Sequence, residues 1–96
     1  MISTFTKKGK FVMSRNDILE NIFSLIKYIN PRVNGIDIDK LGEAFFFGKE
    51  LGLQPRDLVY LLDEVSNQYH KEISSDVINK YQFKKVDDIV NFILEG

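Results

Sequence analysis

The chain offers few side chains from which chemistry could be built. It has no cysteine, so it lacks a thiolate nucleophile, a thiolate metal ligand and a disulfide framework. Its one histidine, His70, has no serine placed beside it, so no nucleophile–base pair can be named. Ser66 falls inside a predicted helix, and Ser74 and Ser75 fall at the start of another. Capping or solvent exposure is the simpler role for all three, and His70 suits the negative end of a helix dipole. Asp37 and Asp39 are spaced like the first ligands of a calcium loop, which needs Gly at its sixth position and Glu at its twelfth. Gly42 falls sixth, but Gly48 falls twelfth and Leu41 stands at the fifth, so the pair reads as solvated turn residues. The scattered Gly35, Gly42, Gly48 and Gly52 form no phosphate-binding motif. The expectation is a protein without catalysis, cofactor or metal.

Charge separates the chain into two parts. Residues 1–15 hold Lys7, Lys8, Lys10 and Arg15 and no acid. Residues 16–96 hold fourteen acids against nine bases, a net of −5. Lysines with Phe5 and Phe11 nearby suit an arm that grips nucleic acid. The plainer expectation is a flexible basic leader over residues 1–13, tied down in part by Phe11, Val12 or Met13. The acidic remainder argues against general nucleic-acid binding.

Any site must be positioned by a single domain, because 96 residues make one. Apolar residues make up 44% of it, with eight Phe and four Tyr, enough for a core without staples. No apolar run approaches the roughly 20 residues needed to cross a bilayer, and no signal-peptide pattern opens the chain. A cytoplasmic protein is the expectation.

Helical periodicity organises residues 14–96. Ser14 and Asp17 form a capping-box pattern ahead of Ile18, Ile22, Leu25, Ile26 and Ile29, which predicts a helix over 15–29. Asn30-Pro31 ends it. A long connection follows, with a turn at Asn34-Gly35 and a short helical piece within Leu41–Phe47. Phe45-Phe46-Phe47 should be mostly core, with at most one ring exposed. Gln54-Pro55 opens the next helix, since proline suits the first helical position. Leu58, Leu61, Leu62, Val65 and Tyr69 make its apolar stripe to about His70, and this helix is expected at the centre of the bundle. A short helix capped by Ser74 or Ser75 carries Val77, Ile78 and Tyr81. Val86, Ile89, Val90, Ile93 and Leu94 line a last helix, with Phe92 off its stripe.

This order, with its residues, resembles the acyl carrier protein and peptidyl carrier protein family over about residues 15–95. Phe47-x-x-x-Leu51-Gly52 is similar to the family's Phe-x-x-x-Leu-Gly before its modified serine. Asp57 and Val59 match the positions after it, and Glu72-Ile73 matches the pair before the short third helix. Phe83-Lys84-Lys85-Val86-Asp87-Asp88-Ile89-Val90-Asn91-Phe92-Ile93 resembles the closing segment. The resemblance implies an all-α, acyl-carrier-like four-helix bundle, three longer helices and one short, with a long loop between the first two.

The family's Asp-Ser-Leu motif is missing. Gln54-Pro55-Arg56 stands in its place, and no serine occurs between Ser24 and Ser66. Proline has no hydroxyl to join to phosphopantetheine. Serine-less relatives of this kind occur in bacterial peptide natural-product maturation systems, and the resemblance implies such a role. It also implies that the second long helix meets a partner protein, an acyl-transfer or peptide-modifying enzyme. The expected contacts are Gln54, Arg56, Asp57, Tyr60, Asp63 and Glu64, with Tyr60 foremost, although exposed helix residues are polar in any case. The rival readings are a true carrier modified at an unexpected residue, a nucleic-acid binder using the basic arm, and a bundle whose core holds an acyl chain.

Overall fold

A computed structural model describes residues 14–95, which form five helices. The leader expected over residues 1–13 lies outside the described residues. Helix α1 runs Arg15–Ile29. Ser14 Oγ accepts the Asp17 N–H at 3.1 Å, and the Asp17 carboxylate accepts the Ser14 N–H at 3.4 Å. These bonds satisfy donors that a helix start would otherwise leave open. Helix α2 is the single turn Ile38–Leu41, and α3 runs Pro55–Tyr69. Helix α4 is Ser75–Tyr81, capped by Ser74 Oγ accepting from the Val77 N–H at 3.3 Å, and α5 is Val86–Glu95.

The fold is all-α, and it departs from expectation at four places. The helical turn inside the long connection falls at Ile38–Leu41, earlier than the expected Leu41–Phe47. The hub is α1 and not α3: α1 packs on α2, α3 and α5, while α4 packs on α5. Ile18, Ile22 and Ile26 of α1 are fully buried, whereas α3 buries only Leu61 and Val65, leaving Leu58, Leu62 and Tyr69 half-buried. A helix that covers one side of a hub needs a narrower stripe than the hub itself.

The third departure is in the phenylalanine run. Phe46 is fully buried, but Phe45 and Phe47 are both more than half exposed. An antiparallel bridge pairs Phe45 with Lys85, and the Phe46 N–H donates to the Lys84 carbonyl at 3.0 Å. Phe46 and Phe47 follow the bridge as a turn, closed by the Gly48 N–H on the Phe45 carbonyl at 3.1 Å, and only the middle ring of the three reaches the core. The fourth is at the end of α5, where Phe92 is buried and Leu94 is half exposed. Phe92 meets Tyr81 and Phe83 edge-on at 5.5 and 5.7 Å between ring centres. This aromatic cluster binds α5 to the α4–α5 turn and turns the helix so that Leu94 faces out.

The long connection is held near its middle by hydrogen bonds to the start of α5. The Val86 N–H donates to the Ala44 carbonyl at 3.1 Å and the Asp87 N–H to the Gly42 carbonyl at 2.8 Å. Arg15 forms an ion pair with Asp87, tying the starts of α1 and α5 together. A Cβ at Gly42 would meet the Asp87 carboxylate and the Arg15 guanidinium, so the pair would have to shift to admit one.

Candidate functional site

The start of α3 is built by the segment before it. The Leu53 N–H donates to the Phe46 carbonyl at 2.9 Å, and the Gly52 N–H to the Gly48 carbonyl at 2.8 Å. Gly52 takes a left-handed φ of 61°, a conformation that costs a side-chain-bearing residue about 1–2 kcal/mol. Asn30, at the end of α1, donates its side-chain amide to the Leu51 carbonyl at 2.9 Å. The turn therefore hands the chain to Gln54 in a fixed direction.

Gln54 is the N-cap of α3 and Pro55 its first residue. The Gln54 N–H donates to the Asp57 carboxylate at 2.9 Å, and the Asp57 N–H donates to the Gln54 backbone carbonyl at 2.9 Å. Asp57 thus has a local role in capping the helix, besides any role toward a partner. Pro55 is exposed, and its ring occupies a position at which a backbone N–H would have no helical acceptor.

The remaining expected contact residues share one side of α3. Arg56, Tyr60 and Asp63 are exposed, as is Gln54, while Glu64 is half-buried. Tyr60 is 42% exposed and its neighbour Val59 is 67% exposed. The Tyr60 phenol is held above its usual range by partial desolvation, then by the fields of Glu64, Tyr28 and Asp63. All three raise the cost of a phenolate, so the ring stays neutral and hydrogen-bonding on an acidic surface.

Sequence reasoning missed what lies beside this side. Between α3 and α4 runs an open groove of about 390 Å³, lined by Val59, Leu62, Asp63, Ser66, Glu72, Ile73 and Ile78. Ile78 is 47% exposed. The signal was present in Val59, which stands off the apolar stripe of α3, and in Ile78 of the short helix, both exposed. Only the tertiary fold, with Glu72 and Ile73 of the connection between them, brings them to one groove.

The serines and the histidine take structural places. Ser66 Oγ donates to the Lys71 carbonyl at 2.6 Å, closing the end of α3, and Ser74 caps α4. His70 is the left-handed C-cap of α3, at φ 56°, with its backbone N–H on the Ser66 carbonyl. No group of three or more acidic, histidine or cysteine side chains suited to a metal ion occurs among the described residues. None of the described helices is long and apolar enough to cross a membrane.

The arrangement is that of a small all-α domain with one acidic, partly apolar helix pair exposed along its side. No family model, curated protein or solved structure matches the chain.

Proposed function

We propose that the protein is a docking module that resembles the acyl carrier proteins without carrying cargo, and that α3 with the α3–α4 groove is the surface it presents. The observation that carries this reading is the juxtaposition on α3 of Val59 and Tyr60, both exposed, with Asp63 and the groove wall of Leu62, Ile73 and Ile78. Exposed apolar side chains grouped in a concave strip and rimmed by charge suit burial by a partner. The expected partner is a protein, of the peptide-modifying or acyl-transfer kind that the resemblance implies, in the cytoplasm of a bacterium. Pro55 at the first turn of α3 supports the cargo-free reading, because phosphopantetheine attachment needs a hydroxyl.

The test begins with capture of proteins from the native host on the immobilised chain. Binding of each captured protein is then measured for the parent and for Tyr60→Ala. A specific partner that binds Tyr60→Ala as tightly as the parent removes α3 as the docking surface.

A further inference from the structure

The α3–α4 groove differs in charge from three other concave places on the molecule. It is lined by two acids, Asp63 and Glu72, and no base, around the aliphatic side chains of Val59, Leu62, Ile73 and Ile78. The cleft beside Phe45 has Lys80, Lys84 and Lys85 on its walls. The depression between α4 and α5 mixes Lys71 and Lys80 with Glu72, Asp76 and Glu95, and the small one near Asn34 mixes Lys40 with Asp37 and Glu50. A basic, apolar ligand finds its complement in the α3–α4 groove rather than in these three.

The chain supplies a segment of that chemistry. Residues 1–13 hold Lys7, Lys8 and Lys10, no acid, and Phe5 two positions before the first lysine. We propose that this segment folds back on the α3–α4 groove, with Phe5 as the apolar anchor and the lysines answering Asp63 and Glu72. Reach permits it. Nine residue-to-residue steps lead from Phe5 to Ser14, and at about 3.3 Å each they span up to about 30 Å. The molecule measures 37 × 32 × 21 Å. Tethering also gives a segment an effective concentration on the order of mM at a groove it can reach, so a weak contact is populated. As a control on docking, the contact rests on the role proposed above, since a partner would have to displace the segment. As a contact within one chain it does not need a partner.

The experiment uses the full chain and its lack of native cysteine. A nitroxide is attached to Ser3→Cys, and amide relaxation is measured on the isotopically labelled protein. The amide signals of Val59, Leu62, Ile73 and Ile78 are expected to lose most of their intensity relative to the reduced label. That loss should reverse at high salt and in the triple variant Lys7→Glu, Lys8→Glu, Lys10→Glu, because screened and reversed charges no longer attract. Ile78→Lys, on a side chain that is 47% exposed, should also reverse it while the melting temperature stays near the parent's. Loss confined to the start of α1, or spread evenly over the surface, overturns the proposal. So does equal loss in a mixture of spin-labelled chains without isotope and isotope-labelled chains without spin, which would mean that a second copy supplies the segment. None of these readouts involves a partner, so their failure leaves the docking test standing, and failure of docking leaves them standing.

Discussion

Asn30 reaches from the end of α1 to hydrogen-bond the carbonyl of Leu51 at 2.9 Å, across twenty-one positions of chain. The bond fixes the turn that launches α3 to the helix at the centre of the fold. Leu51 is fully buried, so its carbonyl has little water to replace the lost donor. Asn30→Ala should cost about 1–3 kcal/mol, the penalty for an unsatisfied buried acceptor. Urea denaturation of the two proteins checks this, and a cost near zero would mean that water takes over the bond.

Leu61 is fully buried on α3 beside the exposed Tyr60. Leu61→Ala should destabilise by about 2–5 kcal/mol through lost transfer energy and the cavity left behind. Total stability of a domain is only about 5–15 kcal/mol, so partial unfolding at ordinary temperature is expected. A loss below about 1 kcal/mol in chemical denaturation would contradict the burial seen for this side chain.

Helices α1 and α3 were legible because periodicity and punctuation agree there. Ser14 with Asp17 marks one start, Asn30-Pro31 marks the stop, and Gln54-Pro55 marks the next start, as the structure has them. The phenylalanine run was misjudged because a bridge outside any strand decides which ring turns inward, and its partner Lys85 is forty residues away. Leu94 and Phe92 exchanged places for a related reason: the aromatic cluster with Tyr81 and Phe83 outweighs the helical period of α5. The polar side of α3 was legible from spacing alone. The groove was not, because Val59 and Ile78 become one surface only through tertiary packing.

Tyr69 ties stability to alkaline pH. Its phenol accepts a hydrogen bond from the Asn21 side-chain amide at 2.9 Å. Burial raises its pKa above 10.0, the Asn21 bond lowers it, and the field of Asp17 adds to the rise. The folded state therefore holds the proton more tightly than the unfolded state. That contribution is complete below the ordinary value of 10.0 and is lost as pH rises through the folded pKa. Stability should fall above that pH, and Tyr69→Phe should fall less steeply, the rest of the slope coming from Tyr60. Urea midpoints measured on both sides of the ordinary tyrosine value check the difference, and identical slopes would remove Tyr69 as the cause.

Pro55 makes a chemical prediction. Incubation with a broad-specificity phosphopantetheinyl transferase and coenzyme A should leave the mass of the protein unchanged. Ser66 and Ser74 are occupied in closing and opening helices, which leaves no serine in the place the transferase addresses. A gain of one phosphopantetheine arm in the intact mass would return the protein to the carriers.

The last prediction separates the docking side of α3 from its structural side. Tyr60, at 42% exposure, contributes to a surface, whereas Asp57 serves the helix start by accepting the Gln54 N–H. Tyr60→Ala should therefore melt close to the parent and weaken partner binding by about 1–3 kcal/mol, the scale of an interfacial aromatic anchor. Asp63→Lys places a base on the rim of the acidic groove, so it should act mainly on the association rate and its salt dependence. Asp57→Ala should behave differently from both, lowering the melting temperature through loss of the cap, at a cost of about 1 kcal/mol. Thermal melts beside binding curves for the three variants resolve these roles. If Tyr60→Ala unfolds the domain, its ring belongs to the core. If Tyr60→Ala and Asp63→Lys both bind as the parent does, docking belongs elsewhere, and the exposed Phe45 and Phe47 are the next apolar side chains to vary.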